Sequence, residues 1–105
     1  MYAGAWMRFD WDPEKARSNL LKHNVAFDVA VRVFEDAHAV GVLDRVVEGE
    51  ERWRTVGRVG FTTILFVAHT WLDDDGEIYV RVITARRATK NEILGYETGD
   101  ERYLR

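Results

Sequence analysis

The chain has 105 residues, enough for one domain and too few for two. Hydrophobic residues make up 47% and charged residues 31%, a globular composition, and the absence of cysteine excludes disulfide scaffolds, Cys-based zinc sites and thiol catalysis. The net charge is −3, but residues 51–90 hold 7 basic against 5 acidic groups, and six of those basic groups are arginine. Arginine presents a planar donor fork that fits phosphate and carboxylate better than lysine does, so a local arginine field says more than the total charge. The longest apolar run, Ile64 to Ala68, is too short to span a bilayer, and no signal-peptide pattern opens the chain. A cytoplasmic protein with no membrane association is expected.

Trp6 to Trp11 alternates bulky apolar with small or charged residues and predicts a short first strand. Asp12-Pro13-Glu14 predicts a helix start: aspartate caps, proline suits the first helical position, and glutamate favours the positive dipole end. That helix is expected to end at Lys22 or His23, with Asn24 as its left-handed stop. A second helix is expected over Phe27–Glu35, where Phe27, Ala30, Val31 and Phe34 share one face. The period then changes. His38–Leu43 reads as a strand and Asp44–Glu50 as a polar connection. Arg52–Val59, Phe61–Trp71 and Ile78–Ala85 read as further strands, with turns at Gly60 and at Asp73-Asp74-Asp75-Gly76. Thr89 and Glu92 form a capping box that opens a last helix over Lys90–Glu97, and Gly99–Arg105 is expected to be loose. The order β-α-α-β-β-β-β-α predicts an α+β fold, an antiparallel sheet with helices on one face. The expected domain spans 1–105, with its core at about 8–97.

Of the three histidines, His23 sits where a cation caps a helix end, His38 opens a strand beside acidic residues, and His69 interrupts an apolar strand. A hairpin turn at Val59-Gly60 pairs Arg54 with Leu65, and a turn at Asp74-Asp75 sets His69 near Val80. Side-chain alternation then gathers Arg52, Arg54, His69 and Arg86 on one face. A slip of one residue in either register breaks the set, and a merely solvated charged face is the competing reading. The run Thr84 to Lys90 is the densest basic stretch and leads into a helix N-terminus, where anions bind or where Glu92 answers the charge. The stretch Glu48 to Glu51 offers a carboxylate near the arginines as a general base, and the acidic Asp73–Asp75 cluster reads as a solvated turn. No metal site and no cofactor are expected.

The run Phe9 to Ala16, then Asn19 to Asn24, Phe27 to Phe34, Glu50 to Arg58, His69-Thr70, Ile83 to Thr89 and Tyr96-Glu97 resemble BrnT-family toxins in order and spacing. The similarity covers about residues 8–97. The chain departs from the family pattern at Asn24, at Ala26, which lacks a capping hydroxyl, and in an arginine-poor last helix. The resemblance implies a RelE-like fold and the toxin half of a type II toxin–antitoxin pair, a metal-independent endoribonuclease that inhibits translation. It also implies a BrnA-like ribbon-helix-helix antitoxin, expected in a 2:2 complex, with operator DNA bound only through that partner. Metal-free RNA cleavage needs a base for the 2′-hydroxyl, cations for the phosphorane and an acid for the leaving oxygen. In that scheme His69 is base or acid, Arg54 and Arg86 stabilise charge, and Tyr96 gives a hydroxyl or a stacking surface. Lys22, Arg52, Arg87 and Lys90 hold phosphates. The alternative is a binding module of weak activity in which the same arginines dock an acidic partner and the protein acts as co-repressor.

Overall fold

The signals at both ends of the first helix are realised. In a computed structural model, which describes residues 6–105, α1 spans Pro13–His23. Asp12 accepts the Glu14 N–H at 2.9 Å, and Asn24 stops the helix in the left-handed region at φ 57°. The second helical segment divides: α2 covers Phe27–Ala30, and Val31–Glu35 tightens into a 3-10 helix. Ala26 supplies no side-chain cap, and the branched residues Val29, Val31 and Val33 lower helix propensity.

Strands β1 (Met7–Asp10), β2 (Val40–Val47), β3 (Glu50–Val59), β4 (Thr63–Asp74) and β5 (Glu77–Arg87) form one sheet in the order β1-β5-β4-β3-β2. The last four make the expected antiparallel meander. β1 instead runs parallel to β5, so the sheet is mixed. The expected connection Asp44–Glu50 shrinks to the turn Glu48-Gly49, whose φ angles of 52° and 82° match the twist of a two-residue hairpin. β2 therefore starts and ends later than His38–Leu43.

The β3–β4 hairpin departs from the sequence expectation in a way that decides the site. Its loop is Gly60-Phe61-Thr62, with Val59 opposite Thr63. Arg54 consequently pairs with Ala68 and not with Leu65. The displacement is odd, so it exchanges the faces of β4 relative to β3. β5 then carries a bulge: Ala68 pairs with Thr84, whereas His69 pairs with Val82. The extra residue, Ile83, turns Thr84 and Arg86 to the side opposite Val80 and Val82.

Both faces of the sheet are apolar in part, so helices pack on both, which corrects the one-face expectation. On the first face Leu65, Val67, Val80, Val82 and Ala85 pack against Phe27, Ala30, Val33 and Phe34. On the second face Val42, Val56 and Phe66 meet Tyr96 of α3 (Lys90–Thr98) and Leu104. The C-terminal segment is not loose: Glu101–Leu104 is a 3-10 helix, and Leu104 is 3% exposed. Buried Asn19 ties α1 to the bulged strand. Its Nδ2 donates to the Val25 and Ala85 carbonyls at 2.9 and 2.8 Å, and its Oδ1 accepts from Thr84 Oγ1 and the Ala85 N–H, both at 3.0 Å.

Candidate active site

Along β3, Arg52, Arg54, Val56 and Arg58 all point to the second face. Val56 and Phe66 lie under α3 and Leu104, so that half is covered. The other half is open. Arg52 lies beside Thr70, and the Thr70 hydroxyl accepts the Arg81 N–H at 2.9 Å, so Arg52, Thr70 and Arg81 form a row across three strands. Arg54 borders this row. Its guanidinium donates to the Leu104 carbonyl at 3.2 Å and forms an ion pair of 3.1 Å with Asp44. A cavity of about 740 Å³ opens at the same end of the sheet, with Arg8, Thr70, Leu72, Tyr79 and Arg81 in its wall.

Each of these arginines has a carboxylate of its own. Arg52 meets Glu50 at 3.2 Å, Arg81 meets Asp10 at 3.4 Å, and Arg8 pairs with Glu77. Arg86 is the most occupied. It forks onto Glu92 at 2.8 and 3.0 Å, donates to the Arg87 carbonyl, and lies 4.1 Å from the Phe66 ring centre. Glu92 also accepts the Thr89 N–H at 2.8 Å, so the capping box and the ion pair share one carboxylate. Burial pushes the Glu92 pKa up, but Arg86 and the Thr89 N–H more than offset this and hold it below the usual range.

His69 is corrected. It lies on the first face, opposite Arg54 and Arg86, because the three-residue hairpin loop shifts β4 and the bulge turns Arg86 away. It is fully buried, its ring perpendicular to that of Phe34 at a centroid distance of 4.8 Å. Nδ1 donates to the Thr70 carbonyl at 2.8 Å, which leaves Nε2 to accept from the Thr55 hydroxyl at 2.7 Å. Burial pushes its pKa down to about 4, against a smaller upward pull from the Thr70 carbonyl. A neutral, enclosed imidazole of this kind is a structural group, out of reach of any substrate on the second face.

The other expected site residues divide. Arg52, Arg54 and Arg86 share the second face, and Tyr96 stands over its covered half. The Tyr96 hydroxyl is already donated to Asp36 at 2.7 Å, and that carboxylate also accepts the N–H groups of Arg58 and His38. Burial raises the Asp36 pKa, and those donors more than offset it, leaving it lowered; burial and Asp36 together raise that of Tyr96. Lys22 is exposed on α1, which packs against the first face, and Arg87 pairs with Leu65 and points to that side. Lys90 is exposed at the start of α3. Sequence reasoning missed Arg81 and Asp44. Arg81 alternates with Val80 and Val82 and was legible by period; Asp44 reaches Arg54 through a bulge between Leu43 and Arg45, which no period reveals. Among the described residues no group of three or more histidine, aspartate or glutamate side chains is arranged to hold a metal ion.

A family model described as "Ribonuclease toxin, BrnT, of type II toxin-antitoxin system" matches residues 11–92, which contain every strand from β2 to β5 and every arginine of the second face except Arg8. No individual curated protein matches the chain.

Proposed function

Since the chain belongs to the BrnT family of type II toxin–antitoxin ribonuclease toxins, we propose that it cuts RNA endonucleolytically and without metal on the open half of the second face, and so stops translation. The observation that carries this reading is the grouping of Arg52, Arg54 and Arg81 on one uncovered half-face. Arg52 and Arg81 hold phosphates of the strand, and Arg54 faces the phosphate under attack, where its fork stabilises the charge of the phosphorane. Arg86, clamped by Glu92, and Tyr96, clamped by Asp36, hold α3 over the covered half, and Lys90 meets flanking phosphates at its rim. Lys22 and Arg87 lie toward the other face and serve, at most, RNA that wraps the sheet edge.

The family requires an antitoxin. In this reading it is a BrnA-like ribbon-helix-helix protein in a 2:2 complex, and operator DNA is bound only through it. A RelE-like fold and a cytoplasmic site of action go with the same reading. The test is cleavage of RNA by the purified chain. Arg54→Ala should lose about 10²–10³ in rate, and EDTA should change nothing. Full activity in Arg54→Ala, or dependence on added magnesium, refutes the mechanism.

One observation favours a second reading. Arg54 and Arg86 are already matched by Asp44 and Glu92. A protein that acts chiefly as a docking partner and co-repressor would keep its arginines so paired, and it would show no cleavage in the same assay.

A further inference from the structure

With His69 enclosed on the other face, the open half-face has cations for the phosphorane but no imidazole to take the proton of the 2′-hydroxyl. The geometry points to Asp44 as the general base of RNA cleavage, an inference that rests on the arginine site proposed above. Asp44 is the extra residue of the β2 bulge between Leu43 and Arg45. Without the bulge, alternation along β2 would make the residue after Leu43 itself the partner of Arg52. With it, a carboxylate is inserted beside the arginine row. Its Oδ1 lies 3.1 Å from the Arg54 guanidinium and its Oδ2 lies 3.9 Å from Arg45 Nε, with the side chain 31% exposed. The charged groups around it are thus Arg54 from β3 and Arg45 from its own strand, and the 3-10 helix Glu101–Leu104 presents the Leu104 carbonyl to Arg54. Glu50, Asp10 and Glu77, which lie on the same face, sit at strand ends and are held by Arg52, Arg81 and Arg8.

A phosphate seated on Arg54 brings its neighbouring ribose to this carboxylate. Asp44 takes the 2′-O–H proton, the 2′-oxygen bonds to phosphorus, and the P–O5′ bond breaks. Solvent water protonates the departing 5′-oxygen, and Asp44 returns its proton to solvent. The products are a 2′,3′-cyclic phosphate and a 5′-hydroxyl. A carboxylate oxygen can take up this proton, and a positioned base contributes about 10²–10⁴ in rate.

The experiment uses a short RNA of defined sequence and measures cleavage by single turnover from pH 6 to 8, with binding measured on the same RNA carrying 2′-deoxyribose at the cut position. Asp44→Asn should bind this RNA as tightly as the unaltered chain, or more tightly, and cut about 10²–10⁴-fold more slowly at neutral pH. Its residual rate should rise tenfold per pH step, as hydroxide replaces the lost base, where the unaltered chain is flat. Asp44→Glu should recover part of the rate. An unchanged rate in Asp44→Asn overturns the proposal. So does a slow but pH-independent rate, which would make Asp44 a positioning group for Arg54. So does a loss in Glu50→Gln in place of the loss in Asp44→Asn. Arg54→Ala separates this failure from that of the site itself: if it cuts normally, the site reading fails, and if it alone is dead, only the assignment of the base fails.

Discussion

The enclosed histidine makes a prediction about acid stability that can be worked from its surroundings. In the unfolded chain an imidazole titrates near 6.5, whereas burial holds that of His69 down to about 4. Between these values the unfolded chain binds a proton that the native fold refuses, so stability falls as pH falls through that window. Above it both states are neutral and His69 contributes no slope; below it both are charged and no further loss accrues. The full loss corresponds to about 3 kcal/mol, a large share of the ~5–15 kcal/mol that holds a domain together. His69→Gln keeps an acceptor for Thr55 and a donor for the Thr70 carbonyl but cannot titrate. At neutral pH it should cost about 1–3 kcal/mol through the lost aromatic contact with Phe34 and imperfect packing. Urea unfolding of both proteins at steps between neutral pH and pH 4 isolates the effect, because Asp36 and Glu92, whose lowered pKa values also cost stability in acid, are common to both. The stability difference between the two proteins should shrink by about 3 kcal/mol across the window and reverse in sign if the neutral-pH cost is small. A difference that does not change with pH would refute the burial argument.

Three further outcomes are expected. Asn19→Leu removes four hydrogen bonds between α1, Val25 and the bulged strand and leaves the Thr84 and Ala85 polar groups unpaired, so thermal unfolding should show a loss of about 2–4 kcal/mol. Gly57→Ala places a Cβ 2.9 Å from the Val33 Cβ and 3.1 Å from the Val33 carbonyl, and overpacking of the 3-10 helix against β3 should cost about 1–3 kcal/mol in the same measurement. Tyr96→Phe removes the hydroxyl from Asp36, which keeps its two backbone donors, and should cost no more than about 1 kcal/mol while raising the Asp36 pKa, readable by carboxyl chemical shifts against pH.

Much of the fold was legible because its signals are local. Asp12 with Pro13, Asn24, and Thr89 with Glu92 each act within one turn of chain, and each does what its chemistry predicts. The turn at Asp75-Gly76 has the positive φ angles, 52° and 87°, that an Asp-Gly pair favours. What was not legible is non-local. Gly60 announces a turn but not whether its loop holds two residues or three, and that single count sets the parity of every side chain on β4. The parallel seat of β1 beside β5 depends on no residue of β1 alone. The second apolar face could have been read from Val56 and Phe66, which are apolar on positions that alternate with Thr55 and Val67. A strand buried on both sides loses its period and takes the clue with it.

Parity also decides which of the expected residues share a face. Arg52 and Arg54 lie on one strand, two residues apart, so they share a face under any register. Arg86 joined them through two errors that cancelled: the hairpin count moved β4 by an odd step, and the bulge at Ile83 moved the end of β5 by another. His69 lies between those two errors and received only the first. The net charge of −3 has a counterpart here as well. Arg8, Arg52, Arg54, Arg81 and Arg86 each face a carboxylate of the same chain, so the acidic balance is spread through the arginine field and does not stand apart from it. An RNA strand settling on this face must exchange those carboxylates for phosphates. The net gain in charge pairing is small, and the attraction at long range is smaller still than arginine content alone suggests. Orientation, not affinity, is then what the face supplies: planar forks held by their own acids at fixed positions, ready to take up a phosphate where charge will develop.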